Sequence, residues 1–207
     1  MIDLNFAVTG ARPLRNAAAP TLLFGLNIRT PEPVQAILLR CQLQIEPRRR
    51  THSGAEQERL ADVFGEPERW GESLRPLVWS QATIHVPAFE AALDVDVPVA
   101  CTYDFDVTAA KYLAALGEGE IPLRFLFSGS AFVEGESGFA VRQIPWSKEA
   151  VHRMPVTAWR DVMDSYFPGS AWIRVRRETL DLLQRQRARH GWTNWDETIA
   201  ALVGEEV

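Results

Sequence analysis

The sequence predicts an α+β fold: an antiparallel β-sheet or two-layer β-sandwich with C-terminal helices packed on one side or end. Three observations carry this reading. Apolar and polar residues alternate with period two through most of the first half, as expected for strands with one buried and one wet face. Strand follows strand there without helices between them, which argues against a doubly wound parallel sheet. In the last quarter the apolar spacing lengthens to the i, i+3, i+4, i+7 pattern of helices.

The elements follow in order. Ile2, Leu4, Phe6 and Val8 open the first strand. Turn residues over 11–20 separate it from Leu22, Phe24, Leu26 and Ile28. Ile37, Leu39, Cys41, Leu43 and Ile45 form one face of a third strand, opposed by Arg40, Gln42, Gln44 and Glu46. Between Pro47 and Trp79 the pattern changes. Ser53 followed by Glu56 is a capping-box spacing, Leu60, Val63 and Phe64 make a short apolar stripe, and Gly65 ends the helix. Strand character returns with Val95, Val97, Val99, Cys101, Tyr103 and Phe105 inward against Asp94, Asp96 and Asp104 outward. Asp106 is placed to cap a helix carrying Ala109, Tyr112, Leu113 and Leu116. Ile121 to Val133 and Phe139 to Trp146 then read as a hairpin about Glu134-Gly135-Glu136-Ser137-Gly138.

Trp159, Val162, Met163 and Tyr166 define a helix that Pro168 stops, a second helix runs from about Arg177 to His190, and Thr193 with Asp196 has the spacing to cap a third. Trp195, Ile199 and Leu202 are its apolar stripe. With no internal repeat, low-complexity tract or long linker, the chain reads as one domain over 1–207. It is mainly β over 1–146, with helical insertions near 53–65 and 107–116, and mainly helical over 147–207.

Composition narrows the function classes. The 207 residues are 46% hydrophobic and 24% charged, the balance of a globular protein. Twenty-two Lys and Arg against 27 Asp and Glu give a net charge of −5, which argues against nucleic acid as a partner. No apolar run is long enough to span a membrane. The N-terminus has no basic segment followed by an apolar stretch, so the expected compartment is the cytoplasm. Cys41 and Cys101 both lie on the apolar parity of their strands, where a thiol is desolvated and unreactive.

Candidate residues fall into two groups. For partner recognition they are Trp70 and Trp79, which bracket an irregular loop, and the Arg48-Arg49-Arg50 run before it; Trp and Arg are the residue types enriched at recognition hot spots. For catalysis or small-ligand binding in a cavity between sheet and helices, Asp104, Asp106 and His85 are the best acid and base candidates, although no sequence-local catalytic motif supports them. The histidines lack ligand-like spacing, so no metal and no cofactor is expected. Exposed sheet edges allow self-association, so a homodimer is a further expectation.

The phrases "LLRCQLQIEP", "VFGEPERW", "YDFDVTAAKYL", "PLRFLFSG", "QIPWSKEA" and "AWRDVMDSYFP" together resemble an uncharacterised family of bacterial proteins, chiefly actinobacterial, often encoded beside uptake nickel-iron hydrogenases. The resemblance implies an accessory role: a non-catalytic accessory or assembly protein for that hydrogenase or its maturation machinery, with hydrogenase subunits as partners.

Overall fold

The computed structural model describes residues 2–101, 107–135, 138–170 and 173–204. It divides into two compact units, residues 1–172 and residues 173–207. In the first unit, β1 (Asn5–Pro13), β2 (Thr21–Arg29) and β5 (Ala92–Ala100) form a three-stranded antiparallel sheet in the order β1-β2-β5. A five-stranded antiparallel sheet joins β3 (Ala36–Ile45), β4 (Leu77–Val86), β6 (Glu120–Gly135), β7 (Gly138–Gln143) and β8 (Glu149–Pro155). Its order is β4-β3-β6-β7, with β8 also on β6. The expected α+β fold with two antiparallel layers is what forms.

Period two explains which side chains lie between the layers. Ile37, Leu39, Cys41, Leu43 and Ile45 of β3 are all buried, as are Leu22, Phe24, Leu26 and Ile28 of β2. Phe125 and Phe127 of β6 reach the same core, where Phe24 meets Phe125 edge-on at 5.2 Å between ring centres. The space between the sheets is therefore filled with apolar side chains. On β5, Val97 and Val99 are buried, Leu93 and Val95 are half-buried, and Asp94 and Asp96 face outward. Cys101 beyond the strand is also buried, while Tyr103, Asp104, Phe105 and Asp106 lie outside the described residues.

The helices α1 (Gly54–Phe64) and α3 (Thr108–Ala115) fall where their stripes place them, and α2 (Trp70–Ser73) is a single turn between α1 and β4. Ser53 and Glu56 form the complete capping box at the start of α1. The N-cap of α3 is Val107, which supplies no side-chain cap. α4 (Val156–Tyr166) buries Trp159, Val162 and Met163 and packs against β1, β2 and β8.

Three local features differ from the sequence pattern. Residues 149–155 form β8, although their inward residues, Ala150, His152 and Met154, make a weak apolar set beside the outward Val151. β1 continues through Pro13 into the segment read as a turn, past a bulge between Val8 and Gly10. In the second unit, α5 (Arg177–His190) ends at left-handed Gly191 as expected, but α6 (Trp195–Val203) is capped by Asn194, not Thr193. Asn194 Oδ1 accepts from the Glu197 N–H, while the Glu197 carboxylate accepts from the Thr193 N–H, a capping network shifted by one residue. Its stripe is not core: Ile199 and Leu202 are exposed.

β6 is the spine of the larger sheet. One edge pairs with β3 from Leu123 to Phe132 without a break, while the other pairs first with β8, over 120–126, and then with β7, over 130–135. The exchange centres on Gly129, where φ is +137° and a β-carbon would collide with the Leu38 carbonyl of β3. Gly129→Ala therefore has to move backbone in the middle of a sheet, and a loss of about 2 kcal/mol or more is expected in denaturant unfolding. Gly71→Ala, at a helical position with open space around it, serves as the control and should change stability little.

Candidate functional site

Two surface features gather polar groups. The first is a cleft of about 1080 Å³ lined by Arg48, Arg49, Arg50, Arg153, Glu56, Glu118 and Glu120. Sequence order alone brings the arginine run to the entrance of α1, but only the fold brings in residues 117–120 from beyond α3. Arg50 and Glu56 form its floor, with 9% and 4% of their side chains exposed and a 2.7 Å ion pair between them. Arg50 also donates to the carbonyls of Glu118 and Glu120 at 3.1 and 3.3 Å. Glu56 accepts from the Ser53 N–H at 2.9 Å and the Gly117 N–H at 2.8 Å. Burial opposes ionisation of Glu56, but these backbone N–H donors and the Arg50 guanidinium outweigh it and hold the carboxyl below its ordinary value.

From the other side, Arg160 of α4 donates to the carbonyls of Leu116 and Gly117 at 3.1 and 2.7 Å. The cluster thus ties α1, the end of α3 and α4 together. Beneath it His52 bonds the Tyr112 hydroxyl at 3.0 Å and stacks edge-on against Trp70. Burial and the Arg50 charge lower the His52 pKa against a smaller opposing pull from Glu56, and burial raises that of Tyr112. Both groups are neutral near pH 7. Of the other cleft cations, Arg49 is paired with Glu46 at 3.4 Å and Arg153 with Glu120 at 3.7 Å, while the exposed Arg48 has no ion-pair partner among the described residues. Four arginines face Glu56, Glu118 and Glu120 along the lining, with Glu46 beside it, so the cleft has little net attraction for an anion.

The second feature is the outer face of the five-stranded sheet. Register sets its rows: Thr83, Arg40 and Ser128 lie abreast, flanked by Gln81, Gln42 and Leu126 on one side and by His85, Leu38, Ser130 and Gln143 on the other. Beside Ser128 the chain between β7 and β8 bulges outward. Ile144 donates to Gly129 and Phe127 donates to Lys148, so Pro145, Trp146 and Ser147 project from the ladder. Trp146 is 95% exposed. It borders two adjoining grooves of about 720 and 500 Å³ that share Arg40 and Ser128. Arg40 is exposed and has no hydrogen-bond or ion-pair partner among the described residues.

The sequence-level candidates are distributed unevenly over these places. Arg48 and Arg49 are exposed at the cleft, whereas Arg50 is spent inside it. Trp70 is buried, with its indole N–H donating to the Gly65 carbonyl at 2.8 Å, so it fastens the insertion and offers no open aromatic surface. Trp79 sits at the β-bulge of β4, half-buried and edge-on to Phe24 at 6.1 Å. His85 is exposed on the outer face, and Asp104 and Asp106 lie outside the described residues. Burial pushes the thiols of Cys41 and Cys101 up to about 12. Sequence reasoning missed Trp146 and Arg40; the signal for Trp146 was the flanking Pro145 and Ser147, which mark a turn.

The chain belongs to a family of unknown function, DUF6084, whose model matches residues 1–207. No curated protein matches it. Among solved structures, selenomethionine-labelled β-glucosidase from Kluyveromyces marxianus is 7% identical with a TM-score of 0.26. The same enzyme in complex with glucose is 8% identical with a TM-score of 0.24. In both cases the similarity covers 74% of this chain and only 15% of the enzyme. A likeness at that level carries no argument about fold or activity.

The Glu56 cluster predicts a specific acid response. Because the folded-state pKa is depressed, its contribution to stability is present above the unfolded value, about 4.3 for a glutamate, and is lost as pH falls through the folded value. Glu56→Gln should lower stability at pH 7 by about 2–3 kcal/mol by removing charge-assisted hydrogen bonds. It should also flatten the slope of stability against pH below about 4.3. Urea unfolding across that pH range, wild type against variant, reads both.

Proposed function

We propose that this family member is a non-catalytic accessory protein that docks a partner protein on the outer face of its five-stranded sheet. The observation that carries the reading is the 95% exposed Trp146 beside the unpaired Arg40. Leaving a whole indole in water wastes its apolar surface, and Trp and Arg are the side chains that most often dominate binding energy when a partner desolvates them. The surrounding rows of Gln42, Gln81, Thr83, Ser128, Ser130 and Gln143 supply neutral hydrogen-bonding groups of the kind found around such anchors. The complementary surface is therefore an apolar recess for Trp146 next to a carboxylate for Arg40. The resemblance of the sequence to proteins encoded beside uptake nickel-iron hydrogenases supports a hydrogenase, or a protein of its maturation machinery, as that partner.

Arg48, exposed and without an ion-pair partner among the described residues, lies apart from this face on the same unit with the Glu46-paired Arg49 beside it, and is the natural second contact. The test uses the purified hydrogenase and the full-length chain in a titration read by light scattering or interferometry. Trp146→Ala and Arg40→Ala should each weaken binding by roughly 30-fold, equivalent to about 2 kcal/mol, with unchanged melting temperatures. Trp70→Ala should instead destabilise the fold. Equal binding by Trp146→Ala and wild type would remove the basis of this reading.

A further inference from the structure

The hairpin of β6 and β7 carries an edge that no described residue of the first unit pairs. β7 is the last strand of its sheet and, among the described residues, pairs only with β6. The hydrogen-bonding parity of its residues follows from one bond. Ile144 donates to the Gly129 carbonyl, and in an antiparallel ladder the bonded positions recur every second residue. Gly138, Ala140 and Arg142 therefore turn their N–H and C=O groups towards β6. Phe139, Val141 and Gln143 turn theirs away from it, along the free edge.

The side chains on that edge are not those of a blunted one. Phe139 is 77% exposed and Val141 is 57% exposed, and both lie on the outer face. Natural edges are guarded by proline, lysine, inward charge or strong bulges, and of these β7 carries only Arg142, an exposed residue on the inward parity opposite Ala131. The pairing window is bounded at both ends: Gly138 leaves the strand with φ at +124°, and Pro145 has no N–H to give.

We infer that the β7 edge is the site of self-association, occupied by β7 of a second copy in antiparallel register about a two-fold axis at Val141. Each outward residue then finds an outward partner: Val141 faces Val141 of the second copy, and Phe139 faces its Gln143. Both members of every such pair carry their free N–H and C=O groups on the joined edge. A register centred on Arg142 would set two guanidinium-bearing residues directly opposite one another, which is unfavourable. A register centred on Ala140 sets Gln143 opposite position 137, beyond the start of β7 at Gly138. The Val141 register satisfies the outward groups of Phe139, Val141 and Gln143 and lines up Phe139 and Val141 of both copies as one apolar stripe.

The experiment is sedimentation of the full-length chain over a wide dilution series, with amide exchange followed residue by residue. At the concentrated end the mass should be twice that of one chain, and the Phe139, Val141 and Gln143 amides should exchange as slowly as those of Ala140 and Arg142. On dilution the mass should halve, with only the outward amides losing protection. Val141→Pro removes the central outward donor while leaving the bonds to β6 in place, and should be monomeric throughout with Ala140 and Arg142 still protected. Phe139→Lys provides a second monomeric variant that keeps every backbone N–H. A monomer at all concentrations, a dimer that survives Val141→Pro, or outward amides protected independently of dilution would each overturn the inference. Trp146→Ala should leave dimerisation unchanged, so the result stands or falls apart from partner docking.

Discussion

A carbonyl oxygen standing where a β-carbon would be organises the larger sheet. Leu38 of β3 approaches Gly129 of β6 so closely that only glycine fits, and Gly129 adopts a conformation that other residues avoid. At this point β6 keeps its bonds to β3 while exchanging β8 for β7 on its opposite edge. The chain linking β7 to β8 has no ladder position there and must bulge, which is why Pro145, Trp146 and Ser147 stand out of the sheet. The exposed indole thus stands where β6 changes partners, opposite the edge that keeps its bonds to β3.

The arginine run illustrates how burial divides chemically identical residues. Arg48, Arg49 and Arg50 are consecutive, yet Arg50 alone turns inward to Glu56 and to the carbonyls of Glu118 and Glu120. A buried ion pair repays its desolvation only when the remaining lone pairs and protons are also satisfied. Here the Ser53 and Gly117 N–H groups complete Glu56, and Arg160 completes the carbonyls around Gly117. The cluster joins segments separated by more than sixty residues and leaves the two flanking arginines to face solvent. Its role is to fix the insertion and α4, which makes the cleft above it structural first.

What was legible in the sequence was whatever depends on near neighbours. Alternation on β2, β3 and β5 predicted which face of each strand turns to the core, because parity needs no knowledge of the partner strand, although Leu23 of β2 is buried on the opposite parity. The Ser53–Glu56 capping box was readable for the same reason. β8 was not, because its inward set of Ala150, His152 and Met154 is weakly apolar and its outward Val151 blurs the alternation. Trp70 looked available because it lies in an irregular loop, and its bond to the Gly65 carbonyl is invisible without the chain's path. Asn194 took the cap assigned to Thr193 because two adjacent residues both offer a side-chain oxygen, and only the entry angle of the chain chooses between them. For Trp146 the difficulty was different in kind: an aromatic residue within an apolar run reads as core, and the rule that apolar residues lie inside runs one way only.

The outer face and the β7 edge combine in one further respect. An antiparallel junction in which Val141 meets its own copy places the two-fold axis perpendicular to the sheet, so the outer faces of both copies lie on the same side. Phe139, Val141 and Arg40 share that side because all three occupy outward positions in the register of β7, β6 and β3, and Trp146 borders the same face through the grooves it lines with Arg40 and Ser128. Two indoles and two unpaired guanidinium groups would then point in one direction from a single continuous sheet. Such a surface suits a partner that is itself two-fold symmetric, because the second contact forms at high effective concentration once the first is made. Modest single-site affinity at Trp146 would then be sufficient for a stable assembly, and a loosely anchored monomer would be released.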